Sequence, residues 1–186
     1  SALWAEGYAS AYDNISKKSK ALYQKSIEQA NQANNNYLII WTRLNYVKRL
    51  CHYGYYQEMQ PVLLELMKVI RQTKESEIIN PLETYKTIGW IMQTLSDYPE
   101  ADYYLKRALK YCKPGSVNYA AILDNYGINL YKTRRYQEAL KQFHKSGLIA
   151  LKINDSLRYA KTLGNKALVY VEQNKYAEAI QLLKED

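Results

Sequence analysis

An all-α fold of repeated helical hairpins is what this sequence predicts, on three observations. The stretch TLGNKALVYVEQNKYAEAI at 162–180 echoes ILDNYGINLYKTRRYQEAL at 122–140: Asn165 matches Asn125, Ala167 matches Gly127, Tyr176 matches Tyr136, and Glu178-Ala179 match Glu138-Ala139. The chain holds only 7 Gly and 4 Pro in 186 residues, too few breakers for a turn-rich β fold, and apolar residues do not alternate with period two. Cap signals also punctuate the chain where hairpins would begin and end.

The echo extends along the chain in one register. Small or medium residues recur at Gly7, Val47, Gly89, Gly127 and Ala167, in steps of 40, 42, 38 and 40. Twelve residues after each stand Ser19, Met59, Ala101, Ala139 and Ala179. Four further on come Tyr23, Leu63, Leu105, Phe143 and Leu183, and three beyond those Ser26, Leu66, Ala108 and Ser146. A tyrosine precedes the second small residue at Tyr56, Tyr98, Tyr136 and Tyr176, with Ser16 in that place in the first copy. Small side chains in the middle of one helix and at the start of the next let two antiparallel helices touch, and large ones a turn along fill the remaining space. The repeats so defined run approximately 1–35, 36–76, 77–115, 116–155 and 156–186, ten helices in one solenoid domain over 1–186, the last copy expected to continue past Asp186.

Boundaries follow in order. NPLE at 80–83 supplies Asn80 as N-cap, Pro81 in the first turn and Glu83 to close a capping box; DYPE at 97–100 repeats the device with Asp97 and Glu100. PGS at 114–116 stops one helix and caps the next, and NDS at 154–156 does the same. Pro61 falls inside the second helix of copy two, where a missing backbone donor predicts a kink or a late start. With Val47 and Met59 at its small positions, this copy is expected to pack least regularly.

Small residue, tyrosine, alanine, large apolar residue and alanine at these distances resemble the tetratricopeptide repeat, and the step near forty, with LGN at 163–165, is similar to its longer-helix variety in bacterial peptide-responsive regulators, sensor-regulator proteins, kinesin light chains and cell-polarity adaptors. The resemblance implies a right-handed superhelical solenoid of about five helix-turn-helix repeats, an alpha-alpha superhelix whose first helices line a concave groove. It also implies apolar terminal faces, open to self-association.

Steps of three and four from the register place Asn45, Asn125 and Asn165 at one equivalent position on first helices, with Thr87 and Ala5 there in the other copies. An asparagine amide offers a donor and an acceptor, so such a ladder can hold an extended peptide backbone, a device the family uses; the alternative is that each Asn bridges neighbouring helices. One turn further lie Lys48, Trp90, Ile128, Leu168 and Tyr8, with Trp41, Lys86, Asp124, Tyr131 and Lys132 nearby. Trp and Tyr beside cations make either a binding surface for an acidic segment or part of the core. The Lys/Asn/Lys/Arg set of the family's chaperone-tail clamp is not intact.

The remaining chemistry is sparse. Cys51 and Cys112 are too few for a disulfide scaffold, and with His52 and His144 they form no metal spacing. No nucleophile–base pair or phosphate-cradling glycine loop stands out, so neither enzyme activity nor a cofactor is expected. Twenty-six Lys and Arg against 18 Asp and Glu leave a charge of +8, and 20 tyrosines could stack on bases, so nucleic-acid binding is the alternative. Lys106, Arg107 and Lys110, however, sit on an outward second helix. No signal peptide or membrane span is visible. The reading is a non-catalytic protein- or peptide-binding scaffold, the sensing part of a larger bacterial signalling or transcription regulator, cytoplasmic, or periplasmic if that regulator is membrane-anchored.

Overall fold

A computed structural model describes residues Lys17–Lys184. The expectations at Ala5, Gly7, Tyr8 and Ser16 lie outside the described residues. Within them the chain forms nine α-helices: α1 (Lys17–Gln32), α2 (Asn36–His52), α3 (Tyr56–Gln72), α4 (Pro81–Thr94), α5 (Tyr98–Lys110), α6 (Val117–Lys132), α7 (Tyr136–Lys152), α8 (Ser156–Glu172) and α9 (Tyr176–Leu183). A 3-10 turn at Glu75–Glu77 precedes α4, and no strand occurs among the described residues. Contacts divide the chain into two compact units, Ser1–Thr87 and Ile88–Asp186, with the boundary inside α4. In the first unit α1 packs on α2 and α2 on α3; in the second, α5 through α9 each pack on the next, and α6 also touches α8.

The repeat register is the packing register. Val47 and Met59 are fully buried in the first unit, and Ala101, Ala139, Ala167 and Ala179 are buried in the second. Gly89 faces Leu105 and Gly127 faces the ring of Phe143, one close approach per hairpin. A β-carbon on Gly127 would lie 2.5 Å from Phe143 Cε1, so the aromatic ring occupies the volume that any larger residue there would need. The exception is Leu183, 55% exposed on α9, although its counterparts Leu63, Leu105 and Phe143 are buried.

The N-caps expected at 80, 97, 114–116 and 154–156 form and Asn35 adds another, but the Glu83 carboxylate, taken by Lys48, Lys86 and Thr87, does not close the expected box on Asn80. Asn35, Asp97, Ser116 and Asp155 accept from the backbone amides of Leu38, Glu100, Tyr119 and Arg158, and Asn80 accepts from Glu83 N at 3.3 Å. Helices within a hairpin are joined by one residue in the left-handed region: Gly54, Ser96, Arg134 and Asn174. The following amide closes each turn on a carbonyl five residues back, as Asp97 N does on Met92 O (2.8 Å) and Arg135 N on Leu130 O (2.8 Å).

Pro61 does not delay its helix. α3 opens at Tyr56, as the second helices open at Tyr98, Tyr136 and Tyr176. The acceptor left without a donor belongs to exposed Gln57, where water can serve it. Nor is this copy short of packing, because Val47 and Met59 are both 0% exposed: the medium side chains fill the space that smaller ones would leave to neighbours.

Candidate peptide-binding site

In the first unit, α2 carries Trp41, Asn45 and Lys48. Asn45 is half-buried and spends a donor on its own helix, Nδ2 to Trp41 O at 2.8 Å, so only its remaining groups face outward. Lys48 reaches across to Glu83 at the start of α4 (3.3 Å), and Lys86 reaches the same carboxylate (2.5 Å). Thr87 Oγ1 donates to it as well, at 3.3 Å. Partial burial alone would push the Glu83 carboxyl up, but the two ammonium groups outweigh it and hold it below the usual carboxylate range. The two lysines expected to meet an acidic ligand therefore already share an acid of their own unit. Sequence reasoning took Glu83 as a capping residue only, since its ion-pair partner Lys48 stands 35 positions away.

In the second unit, Asn125 on α6 and Asn165 on α8 hold equivalent places on consecutive first helices. Gln93 Nε2, from α4, donates to the Asn125 backbone carbonyl at 2.9 Å, while no protein group engages the Asn125 side-chain amide. Asn165 Nδ2 is buried without an acceptor. It lines an open cleft of about 430 Å3 with Lys161, Gly164, Ala167, Leu168, Val171 and Leu183. Trp90 is half-buried on α4. Tyr131 donates its hydroxyl to Glu172 Oε1 at 3.2 Å, and Lys132 Nζ stands 5.6 Å from the Tyr131 ring centroid.

Asp124 departs from the surface reading. It is 1% exposed, and its carboxylate is taken by Arg158 Nη1 at 2.9 Å. Arg158 is held in turn by Asp155 through Nε at 3.2 Å, and Thr162 Oγ1 sits 3.5 Å from Asp124. This network ties α6 to α8. Nothing local announced it, because Arg158 lies 34 residues from Asp124. Two other bonds that sequence reading missed share that cause: Asn129 Nδ2 to Tyr98 O (3.0 Å) between hairpins, and Ser146 Oγ to Ala120 O (3.1 Å) within one.

Cys51 and Cys112 are buried and form no disulfide. Among the described residues no group of three His, Cys, Asp or Glu could hold a metal ion, and no helix is long and apolar enough to cross a membrane.

Helical hairpins packed in one register within each unit define a helical-repeat architecture. Residues 118–185 match the family model described as tetratricopeptide repeat. No curated protein matches the chain. Two solved structures titled for MamA are 16% identical to it, with TM-scores of 0.65 and 0.64; each covers 90% of this chain, and the chain covers 84% and 78% of them. The crystal structure of BtubC (BKLC) from P. vanneervenii is 12% identical, with a TM-score of 0.61 over 89% of this chain and 72% of that one. At these identities the likeness is one of fold. A fold of this class suggests a protein-interaction scaffold.

Proposed function

We propose that the chain is a non-catalytic module, acting as one domain over 1–186, that holds a peptide or protein segment along its first helices. The single observation that carries this is the pair of amides, Asn125 and Asn165, at equivalent places on α6 and α8 with donors that no protein group takes up. An extended peptide offers a carbonyl and an amide at regular intervals, which is what two such side chains can bind without regard to sequence. Tyr131, Lys132 and half-buried Trp90 flank the pair, and Trp41, Asn45, Lys48 and Lys86 form the corresponding surface of the first unit. Because Glu83 already neutralises part of the charge of Lys48 and Lys86, Lys132 is the cation best placed to draw an acidic segment. In the wider protein the module serves as the sensing part of a bacterial signalling or transcription regulator. This context rests on resemblance.

The test uses a peptide selected against the wild-type chain from a random library. Asn125→Ala combined with Asn165→Ala should keep the far-ultraviolet circular dichroism unchanged and weaken binding by about tenfold or more, two lost hydrogen bonds at about 1 kcal/mol each. Equal binding by the two proteins would remove the clamp.

A further inference from the structure

The first unit carries, on its first helices, a carboxylate that the repeat register does not call for. Glu83 stands six residues before Gly89, and the matching places before Val47, Gly127 and Ala167 hold Trp41, Ala121 and Lys161. As the third residue of α4 its local task would be to close a capping box on Asn80. Instead Lys48 Nζ of α2 lies 3.3 Å from one carboxylate oxygen and Lys86 Nζ 2.5 Å from the other. Thr87 Oγ1 donates to it too, at 3.3 Å. Lys48 has no acid on its own helix and meets this one from 35 positions away.

We propose that Glu83 is an internal stand-in for an acidic ligand: it fills the seat between Lys48 and Lys86, so the first unit turns acidic segments away and admits uncharged ones. Two ammonium groups on one carboxylate leave the seat a single net positive charge, where the lysines alone would present two. A ligand carboxylate must then either sit beside Glu83 and meet its like charge, or displace it. Displacement is uphill for two reasons. Glu83 lies in the first turn of α4, where the helix dipole favours an anion. A side chain tethered beside its cations also competes at an effective concentration on the order of millimolar or more. Despite partial burial, the two ammonium groups hold the Glu83 carboxyl below the usual carboxylate range, so it is charged wherever a peptide's own acids are. Beside this bridge an uncharged chain still meets half-buried Trp41 and the side-chain oxygen of Asn45, whose Nδ2 is already given to Trp41 O. The Lys48 side chain is 53% exposed, so removing the Glu83 charge would open the seat to an outside anion. Glu83 thus sets which segments the first unit accepts, a role that rests on the reading of the first helices as a peptide-holding face.

Calorimetric titration at low ionic strength with an end-blocked hexaglutamate peptide, and with its hexaglutamine counterpart, tests it. Glu83→Gln should bind hexaglutamate about tenfold more tightly than the wild-type chain does, with hexaglutamine unchanged. Glu28→Gln makes the same change of net charge at an exposed residue of α1 that no protein group engages, and should gain no more than about twofold through long-range attraction. Adding Lys48→Met to Glu83→Gln should cancel the gain, since the outside carboxylate then loses one of its two cations. Ion pairs this exposed add little to stability, so circular dichroism and melting of the variants should match the wild type. A Glu83→Gln chain that binds hexaglutamate no more tightly than Glu28→Gln does overturns the proposal, and so does a gain that survives the loss of Lys48. The peptide-holding reading fails separately, when the library-selected peptide proves indifferent to Asn125 and Asn165, neither of which lies in the first unit.

Discussion

Gly127 and Gly164 are both helical glycines, yet their surroundings differ. The ring of Phe143 fills the space beside Gly127, whereas nothing lies within 4 Å of a β-carbon at Gly164. Gly127→Ala is therefore expected to destabilise the fold by about 1–3 kcal/mol through overpacking. Gly164→Ala should stabilise the fold by roughly 0.5–1 kcal/mol through lower backbone entropy in the unfolded chain. Urea unfolding of the two variants decides, and equal midpoints would contradict both assignments. Tyr46 illustrates a second residue-scale effect. It is 3% exposed and stacked on Tyr23, with ring centroids 4.8 Å apart. Burial, then Glu58 and Tyr23, push its phenol up to about 12. A raised folded pKa means that the native state holds the proton more tightly. The stability this gives is complete below the ordinary tyrosine value of about 10 and is lost as pH climbs from there through about 12. Tyr46→Phe should flatten that alkaline loss in thermal melts; an identical slope in the two proteins would show that Tyr46 is not its source. The small-residue register was legible at these positions because spacing along a helix maps directly onto a face. The left-handed residues at Ser96 and Arg134 were not, since nothing in either side chain favours that conformation.

At the scale of elements, helix starts were readable because a cap is a local bond between residues three apart: Asp97, Ser116 and Asp155 each accept from the third amide beyond. What joins one hairpin to the next was not readable. The Asp124–Arg158 pair makes the point, because its strength depends on Asp124 being buried by a helix from the next repeat. Arg158→Met leaves that carboxylate without its cation and should cost about 1–3 kcal/mol, moderated by the partial exposure of Arg158. Adding Asp124→Leu should recover part of the loss, since the cost of the single change is mostly that of an unpaired buried charge. A double-mutant cycle by denaturant unfolding measures it, and purely additive effects would deny the coupling. The candidate site divides the same way. The equivalent places of Asn125 and Asn165 came from spacing alone, whereas the engagement of Asn45 with Trp41 O and of Lys48 and Lys86 with Glu83 came only from the packed helices.

For the molecule as a whole, the charge of +8 acts at long range on whatever approaches. If the partner is an acidic peptide, raising ionic strength should slow association while leaving dissociation nearly unchanged, as surface plasmon resonance can follow. Tight binding of single-stranded nucleic acid, with affinity collapsing over the same salt range, would instead favour a phosphate-binding surface. The sequence by itself determined that the chain is helical, where most helices begin, and which residues face one another inside a hairpin. Those properties depend on the 3.6-residue period and on bonds between near neighbours. Tertiary structure decided which polar groups are spent and which are left over: Asp124 is buried, Glu83 is shared by two lysines, the Asn165 amide lacks an acceptor, and Leu157 and Leu168 of α8 stand exposed. Burial and pairing are set by whatever helix lies opposite, and in a stack of repeats that helix comes from some forty residues away in sequence.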